Sequence, residues 1–203
     1  MSQSDRFLIT QSLLSSWEYM YKADDGWAEQ SRNDFMRALN RISTPPNDAM
    51  QNGIDFEDMV TAHCEGQEQD VNHKWYDCAS HIGEILKGGQ LQVAEKKEIR
   101  IKDIDFLLYG RLDALKGGVV YDIKFSRTYS PGKYLDSPQH PMYMELVPEA
   151  KKFVYLISDG SDVFTESYDR EDTPCISDTV GHFIDYLNMA GLMDTYKEKW
   201  RSK

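Results

Sequence analysis

The sequence predicts a mixed α/β domain in which helices flank a central sheet and a helical layer precedes it. Apolar residues recur at helical spacing before Gly88-Gly89, whereas apolar runs typical of strands follow from Leu91. The 203 residues are 40% hydrophobic and 12% aromatic, which is sufficient for one substantial core. We therefore expect a single domain over residues 1–203.

Residues 1–89 are predicted to be mainly helical. The first helix runs from Thr10 to Lys22, and Thr10 or Ser12 caps it. A second helix ends before Thr44-Pro45-Pro46, because the residue before a proline is displaced from the helical conformation. A third begins near Asn47 or Asp48, and a fourth ends at Gly88-Gly89. The apolar positions behind these helices are Leu13, Leu14, Trp17 and Tyr21; Phe35, Leu39 and Ile42; Phe56, Met59 and Val60; and Trp75, Ala79, Ile82 and Leu86.

Residues 90–168 are predicted to form the sheet core. The continuous apolar run Phe153–Ile157 suits a strand that is buried on both faces. A loop over 126–137 and a short helix beginning at Pro141 precede this run. The other expected strands are 91–101, 106–115, 119–125 and 163–165.

Residues 173–203 are predicted to form a helical C-terminal part. Thr173 is expected to cap its helix, with Pro174 at the first helical position. Gly191 is expected to break the helix, and a basic tail from Tyr196 to Lys203 follows.

Gly117-Gly118 lies between two apolar runs, which is a strong signal for a two-residue β-hairpin. That turn would pair Lys116 with Val119, Leu115 with Val120, and Ala114 with Tyr121. The next pair would be Asp113 and Asp122, and Lys124 would share their face.

Two opposed aspartates repel each other, so the hairpin favours a partner that neutralises them. A divalent cation with oxygen ligands is the natural candidate, and such a site suits phosphodiester hydrolysis. Lys124 would orient the attacking water and stabilise negative charge that develops on phosphorus. The alternative is a surface hairpin whose charges are incidental.

An ion that prefers six oxygen ligands needs more than two carboxylates. Glu57 is the candidate, since it lies in the stretch Gly53–Asp70, which has six acidic residues and no Lys or Arg. Spacing alone favours a solvated helix glutamate at this position.

The net charge of −11 argues against a protein that coats nucleic acid by charge alone. The segment from Lys96 to Lys133, however, contains nine basic and five acidic residues, so the hairpin lies in the basic part of an acidic chain. Individually these basic residues are expected to be solvated, and only the cluster is informative. The candidate phosphate contacts are Lys96, Lys97, Arg100, Lys102, Arg127 and Lys133.

Three scattered cysteines argue against a disulfide framework and against a zinc or iron–sulfur site. No secretory signal is visible, and no apolar run approaches the ~20 residues that span a bilayer. We expect a cytoplasmic protein in its host cell, without a membrane partner.

Asp113, followed by Asp122-Ile123-Lys124, resembles the D…(D/E)-x-K core of the PD-(D/E)XK nuclease superfamily. Gly110-Arg-Leu-Asp113 resembles the Gly-x-x-Asp form of RecB-like domains and phage recombination exonucleases, although Leu112 replaces the usual proline. Three further motifs occur in the same chain order as in the RecB-like proteins. Ser12-Leu-Leu-Ser-Ser-Trp17 resembles their N-terminal Ser-x-Leu helix, and Gln139-His-Pro-Met-Tyr143 matches their Gln-x-x-x-Tyr motif. Gly53-Ile-Asp-Phe-Glu57 falls where they carry Gly-x-x-x-His on a helix, with Glu in place of His as in the lambda-exonuclease type.

The resemblance spans roughly residues 10 to 160 and implies a restriction-endonuclease-like core. It implies that Glu57, Asp113, Asp122 and the backbone carbonyl of Ile123 bind Mg²⁺ or Mn²⁺. Lys124 would position the attacking water. Gln139 and Tyr143 would lie beside the site and hold the lysine or the DNA strand, and Ser12, Arg127 and Lys133 are further candidates for this role. The four cysteines of the iron–sulfur members are missing, so no cluster is expected.

The resemblance favours a metal-dependent DNA exonuclease of recombination or repair, plausibly encoded by a phage or prophage. It also implies DNA as a partner, with a single-strand annealing or recombination protein as a further candidate partner. Because some members form rings with a basic channel, a homo-oligomer would reconcile the acidic total charge with DNA binding. Two alternatives remain open: a structure-selective endonuclease on the same core, and a non-catalytic module that binds nucleic acid or protein.

Overall fold

The computed structural model describes residues 5–202, within which seven α-helices surround one six-stranded mixed sheet. This confirms the predicted α/β class. The strands are β1 Arg6–Thr10, β2 Gln90–Ile101, β3 Ile104–Lys116, β4 Val119–Phe125, β5 Lys152–Ser158 and β6 Val163–Asp169. The helices are α1 Gln11–Lys22, α2 Ala28–Leu39, α3 Asp48–Cys64, α4 Tyr76–Leu86, α5 Gln139–Leu146, α6 Ile176–Met189 and α7 Met193–Lys199.

The long strand β3 organises the sheet. One of its edges pairs with β2 along nearly its whole length. Its other edge pairs in parallel with β1 over residues 105–109, and with β4 in antiparallel fashion over residues 114–116. Residues 110–113 have no strand partner on that second edge, which leaves a notch between β1 and β4. Beyond β4, the sheet continues with β5 in parallel and β6 in antiparallel orientation.

The core consists of two hydrophobic clusters, which meet near this notch. The larger cluster joins β1, most of β3 and β5 to helices α1, α2, α5 and α6, and it includes Leu112. The smaller cluster packs α3 and α4 against β4, and it includes Ala114. Asp113, between these two residues, is therefore placed at the boundary of both clusters.

Side-chain caps begin two of the predicted helices. Leu13 N–H donates to Thr10 Oγ1 over 3.4 Å at the start of α1, so Thr10 rather than Ser12 is the cap. Met50 N–H donates to Asn47 Oδ1 over 2.9 Å at the start of α3, which continues without a break through Gly53. These bonds satisfy amide groups that have no partner within the helix.

The chain ends differ from the sequence prediction. Arg6–Thr10 forms a strand, although it is too short for a clear alternating pattern. Thr173 does not cap α6; its hydroxyl donates to the Asp169 carbonyl, and α6 begins at Ile176. The expected basic tail is helix α7 up to Lys199, and its Tyr196 is buried. Lys203, the last residue of the predicted tail, lies outside the described residues. The two aromatic residues Tyr196 and Trp200 are the sequence feature that could have indicated a packed segment here, and both are buried.

Within residues 5–202, no helix is both long enough and apolar enough to cross a membrane. The three cysteines in this part of the chain are free thiols: Cys78 is buried, Cys64 is partly buried and Cys175 is exposed.

Candidate active site

The β3–β4 hairpin has the predicted turn and register. Gly117 and Gly118 adopt φ angles of 58° and 76°, as a type I′ turn requires at both central positions. The three pairs nearest the turn are those that the sequence predicted: Lys116 with Val119, Leu115 with Val120, and Ala114 with Tyr121.

The fourth predicted pair is absent from the ladder, because β3 and β4 separate beyond Ala114. Asp113 Oδ2 instead accepts a hydrogen bond from the Ile123 backbone N–H over 2.7 Å. The Asp113 side chain thus enters the notch and holds the diverging strand β4. The prediction that Asp113 and Asp122 pair directly is wrong, but the two carboxylates remain close enough to interact electrostatically.

Asp122 is buried, with only 3% of its side chain exposed, and two polar side chains approach its carboxylate. Oδ1 accepts a hydrogen bond from Gln139 Nε2 of α5. Lys124 Nζ lies 2.6 Å from Oδ2, although no hydrogen bond of good geometry reaches that oxygen. The Lys124 ammonium also lies 5.8 Å from the centre of the Tyr155 ring. Strand β4 therefore presents a carboxylate and a cation that share one face.

The charges in this site perturb one another. Burial is the main cause that raises the pKa of Asp113 well above its usual range, and the neighbouring charges of Asp122 and Glu57 raise it further. Burial likewise raises the pKa of Asp122, against the opposing effects of Lys124 and Gln139. For Lys124, burial lowers the pKa, but the carboxylates outweigh that effect and the net pKa is raised. Lys124 is therefore a cation at neutral pH, held by carboxylates that repel each other.

Glu57 lies on α3, close enough for its charge to act on Asp113. Its Oε1 accepts a hydrogen bond from Gln92 Nε2 over 2.8 Å, so the carboxylate is turned towards β2. Consistent with this orientation, no group of three or more His, Cys, Asp or Glu side chains among residues 5–202 is arranged to hold one ion. The structure thus brings Glu57 beside the hairpin without adding it to a complete ligand set.

Helix α5 places both residues of the Gln-x-x-x-Tyr motif at the site. The helix begins at Gln139 rather than at Pro141, so Gln139 lies in the first turn and reaches Asp122. Tyr143, one turn later, donates from its hydroxyl to the Arg111 carbonyl over 3.0 Å. Arg111 lies in the segment of β3 that pairs with β2 and has no strand partner on its other edge. Gln139 thus contacts a carboxylate, whereas Tyr143 holds the strand that carries Asp113.

Gly110 permits this close approach of α5 to β3. A Cβ atom at this position would lie 2.6 Å from Cε1 of Tyr143 and 2.8 Å from Cδ1 of Leu146. We expect Gly110→Ala to lower the free energy of unfolding by about 1–3 kcal/mol in urea denaturation, because a buried ring cannot move aside without repacking. The control is Gly53→Ala in α3, where nothing lies within 4 Å and alanine should be neutral or stabilising. Equal effects of both substitutions would contradict this explanation.

The end of α5 is held by a residue that the sequence analysis missed. Arg170 donates to three carbonyl oxygens that follow or end the helix: Ala150 over 2.6 Å, Met144 over 2.8 Å and Val147 over 2.7 Å. No local motif signals this role of Arg170, because the contact depends on how β6 returns past α5.

The other predicted contact residues have different environments. Arg127 is exposed and lines a cleft of about 440 Å³ between the start of α3 and the end of β4. Lys133 Nζ donates to Ser126 Oγ and to the Thr128 carbonyl, each over 2.6 Å. Ser12 is exposed in the first turn of α1, with its Oγ 3.1 Å from Thr10 Oγ1. Their contacts with DNA stay predictions.

Three of the candidate phosphate contacts are bound to carboxylates within the chain. Lys97 pairs with Glu145 at 2.6 Å, Arg100 pairs with Asp105 at 2.9 Å, and Lys102 pairs with Asp185. The basic excess of this segment is thus partly neutralised by Glu145 and Asp185, which lie outside it.

Glu166 of β6 organises the loop after Lys124, which the sequence analysis also missed. Its carboxylate accepts hydrogen bonds from the backbone N–H groups of Gly132 and Tyr134, over 3.1 and 3.0 Å. The hydroxyl of Tyr129 donates to it over 2.9 Å, and that of Tyr168 donates as well. The loop thereby places Tyr134 in a stack on Tyr155, with 4.5 Å between ring centres. Burial and the bond to Glu166 raise the pKa of Tyr129 to about 12.

We expect Glu166→Ala to release the 129–134 segment, because two backbone amides and two hydroxyls lose their acceptor. Hydrogen exchange at Gly132 and Tyr134 should become at least about tenfold faster, as loss of one or more net hydrogen bonds implies. Glu149→Ala, at an exposed position, is the control and should leave these amides unchanged. Unchanged protection in Glu166→Ala would refute this role.

His140, which follows Gln139 in the first turn of α5, is buried. Its ring stacks on Tyr168, with 4.0 Å between the ring centres, and its Nδ1 has no hydrogen-bond partner among the described residues. Burial lowers the pKa of His140 to about 4, so the ring is neutral at physiological pH. His140 therefore belongs to the packing of α5.

The donor set at the notch suits a hard divalent cation. Asp113 and Asp122 supply carboxylate oxygens at a buried point where their negative charges repel, and Asp122 Oδ2 accepts no hydrogen bond of good geometry. Glu57 lies close by on α3. Carboxylate oxygens are the ligands that Mg²⁺ and Mn²⁺ prefer, so these residues could hold such an ion.

Comparisons with known proteins identify the fold. No protein-family model matches the sequence, and no curated protein matches it. Among solved structures, LHK-Exo in complex with dAMP is 18% identical, with a TM-score of 0.50, and the match covers 94% of this chain and 92% of that one. The protein SSO0001 is 16% identical, also with a TM-score of 0.50, over 93% of this chain and 78% of that one. The chain therefore shares the architecture of LHK-Exo over almost its whole length.

Proposed function

We propose that the chain is a metal-dependent DNA nuclease, and that it is an exonuclease of the PD-(D/E)XK type. The observation that carries the proposal is the convergence of Asp113, Asp122 and Lys124 at the notch between β1 and β4. Packing alone does not require two repelling carboxylates and a lysine to converge at one point, whereas phosphodiester hydrolysis uses each of them.

Asp113, Asp122 and Glu57, with the backbone carbonyl of Ile123, would hold Mg²⁺ or Mn²⁺. When bound, the ion supplies Lewis-acid polarisation of the phosphate and lowers the pKa of water. Glu57 would leave Gln92 to join the ligand set.

Lys124 is protonated at neutral pH, because Asp122 and Asp113 raise its pKa. It would therefore orient the attacking water and stabilise negative charge on the phosphate, rather than abstract a proton. Gln139 would fix the Asp122 carboxylate, and Tyr143 would fix the backbone at Arg111, so that the three charged groups keep their geometry.

An exonuclease is favoured over the structure-selective endonuclease by the RecB-like motifs and by the fold shared with LHK-Exo, a protein solved with a nucleotide. DNA is the proposed substrate. The phage or prophage origin, the role in recombination or repair, the annealing partner, and a homo-oligomer that presents a basic channel are proposed on the resemblance alone.

The test is digestion of linear duplex DNA labelled at the 5′ or the 3′ end, with Mg²⁺ or with EDTA. We expect Mg²⁺-dependent release of mononucleotides from one type of end, and no release by Asp122→Asn. Internal cleavage of a branched substrate would support the endonuclease instead. A folded Asp122→Asn protein with undiminished cleavage would refute the site.

A further inference from the structure

One face of the β2–β3 ribbon is left open to solvent. On β2 the alternate residues from Ala94 to Arg100 are exposed, whereas their neighbours pack towards α5 and α6. On β3, Tyr109 and Arg111 are exposed on the same side, since Lys96 lies opposite Tyr109 and Ala94 opposite Arg111. We refer to these residues, Ala94, Lys96, Glu98, Arg100, Tyr109 and Arg111, as the open face.

The open face divides into two electrostatic halves. In the half far from the notch, the charges cancel: Arg6 pairs with Glu98, and Arg100 pairs with Asp105 at 2.9 Å. In the half near the notch, Lys96 and Arg111 form no ion pair with any residue in the range 5–202. This near half thus carries two uncompensated positive charges on an otherwise acidic protein.

An aromatic ring lies next to both cations, since Tyr109 is directly opposite Lys96 and two residues from Arg111 on β3. Tyr109 is 40% exposed, whereas the other aromatic side chains of the six strands are buried or partly buried. Ala94, opposite Arg111, is too small to obstruct the surface. A ring that is accessible on a flat sheet and flanked by cations offers stacking to a base and pairing to phosphates at the same place.

The near half is continuous with the candidate active site. Tyr109 and Arg111 are alternate residues of β3 on the side away from α5, and Asp113 follows two residues later at the notch. The Arg111 carbonyl accepts a hydrogen bond from the Tyr143 hydroxyl, and the Arg111 charge acts on Tyr143. A strand that lay along Tyr109 and Arg111 would therefore end about two strand residues, roughly 7 Å, from Asp113.

We propose that the near half of the open face, built from Lys96, Tyr109 and Arg111, binds single-stranded DNA that leads to or from the active site. This inference rests on the proposed function and adds a path for the strand. A base stacks on Tyr109, and the phosphates on either side pair with Lys96 and Arg111. The recognition does not depend on sequence, because every base has a π face.

Binding of fluorescein-labelled dT20 in EDTA, measured by fluorescence anisotropy on the full chain, tests the proposal. Tyr109→Ala should weaken binding by about tenfold, within the range for loss of one stacked base. The double variant Lys96→Gln with Arg111→Gln should reduce the slope of log affinity against log salt concentration by about 1.4, since each contact contributes about 0.7 for a single strand.

Matched controls use exposed residues elsewhere in the chain. Tyr19→Ala removes a tyrosine of α1 that is 56% exposed, and Arg32→Gln with Lys151→Gln removes two exposed cations. Both controls should bind dT20 within twofold of the unchanged protein.

If Tyr109→Ala and the double variant also bind within twofold while their melting temperatures are unchanged, the proposal is wrong. If they convert a dimer to a monomer in light scattering and dT20 binding is unchanged, the face is a contact between copies and the proposal is again wrong.

A small diester separates failure of this inference from failure of the proposed function. The p-nitrophenyl ester of thymidine 5′-phosphate is too short to reach Tyr109 from the notch. Mg²⁺-dependent hydrolysis of this diester by the unchanged protein, with weakened dT20 binding in the open-face variants, supports both proposals. Weakened dT20 binding without any hydrolysis by the unchanged protein would leave the binding face supported and contradict the nuclease.

Discussion

Asp113→Asn is expected to abolish Mg²⁺-dependent DNA cleavage, by roughly 10³-fold or more, and to raise the melting temperature of the metal-free protein at pH 8. The loss follows because a neutral amide is a poor ligand for a hard cation, and single electrostatic groups in active sites contribute on this scale. The gain in stability follows because burial and the charges of Asp122 and Glu57 oppose ionisation of Asp113. Asparagine removes that charge and can still accept the Ile123 N–H.

The difference in melting temperature between Asp113→Asn and the unchanged protein should depend on pH. A carboxyl whose pKa is raised in the folded state binds its proton more tightly there, so stability decreases as pH rises above the usual carboxyl range. The melting temperatures of Asp113→Asn and the unchanged protein should therefore converge near pH 4 and separate towards pH 8. A stabilisation of 1 kcal/mol corresponds to an increase of about 2–4 °C in the melting temperature of a chain of this size.

Asp58→Asn, on the exposed side of α3, is the control and should melt at the same temperature as the unchanged protein. An Asp113→Asn protein that is less stable than the unchanged protein at pH 8 would contradict the account.

Lys124→Met is expected to abolish cleavage and also to destabilise the protein. It leaves the buried Asp122 carboxylate without its cation, whereas Lys124 itself retains 30% exposure. Breaking a fully buried pair costs about 3–5 kcal/mol, and we expect about 1–3 kcal/mol here because solvent reaches the lysine. Urea denaturation in EDTA measures this cost.

A double variant separates charge from packing. Asp122→Asn combined with Lys124→Met should recover most of the lost stability and none of the activity, because the buried Asp122 charge is removed together with its cation. Lys87→Met is the control: its pair with Glu84 is 62% and 58% exposed, and its loss should change stability by less than about 0.5 kcal/mol. A double variant no more stable than Lys124→Met would show that the ion pair does not explain the cost.

The hairpin could be predicted from the sequence because its geometry is local. Gly117-Gly118 determines the turn type, and the turn type determines the register, so the pairs from Ala114 to Tyr121 followed directly. The prediction failed one residue further on, at Asp113 and Asp122. Beyond Tyr121, β4 separates from β3 and keeps only its pairing with β5, a strand about 30 residues away in the sequence.

The parts that sequence reasoning missed depend on contacts between distant segments. Arg6–Thr10 becomes a strand only because the edge of β3 is available to it. Glu166 holds the loop after β4, and Arg170 holds the end of α5, through positions that the return of β6 determines. Neither residue has a local motif, whereas Gln139 could be predicted because the family resemblance supplied its spacing from the hairpin.

Calorimetric titration of Mn²⁺ into the metal-free protein tests the central claim most directly, because it measures the site without assuming a substrate. We predict a specific binding heat in the unchanged protein that is lost in Asp113→Ala and retained in Lys124→Met, since the lysine is not a ligand. Circular dichroism would first verify that both variants are folded. The same Mn²⁺ heat in Asp113→Ala as in the unchanged protein would contradict the assignment of the notch as the metal site.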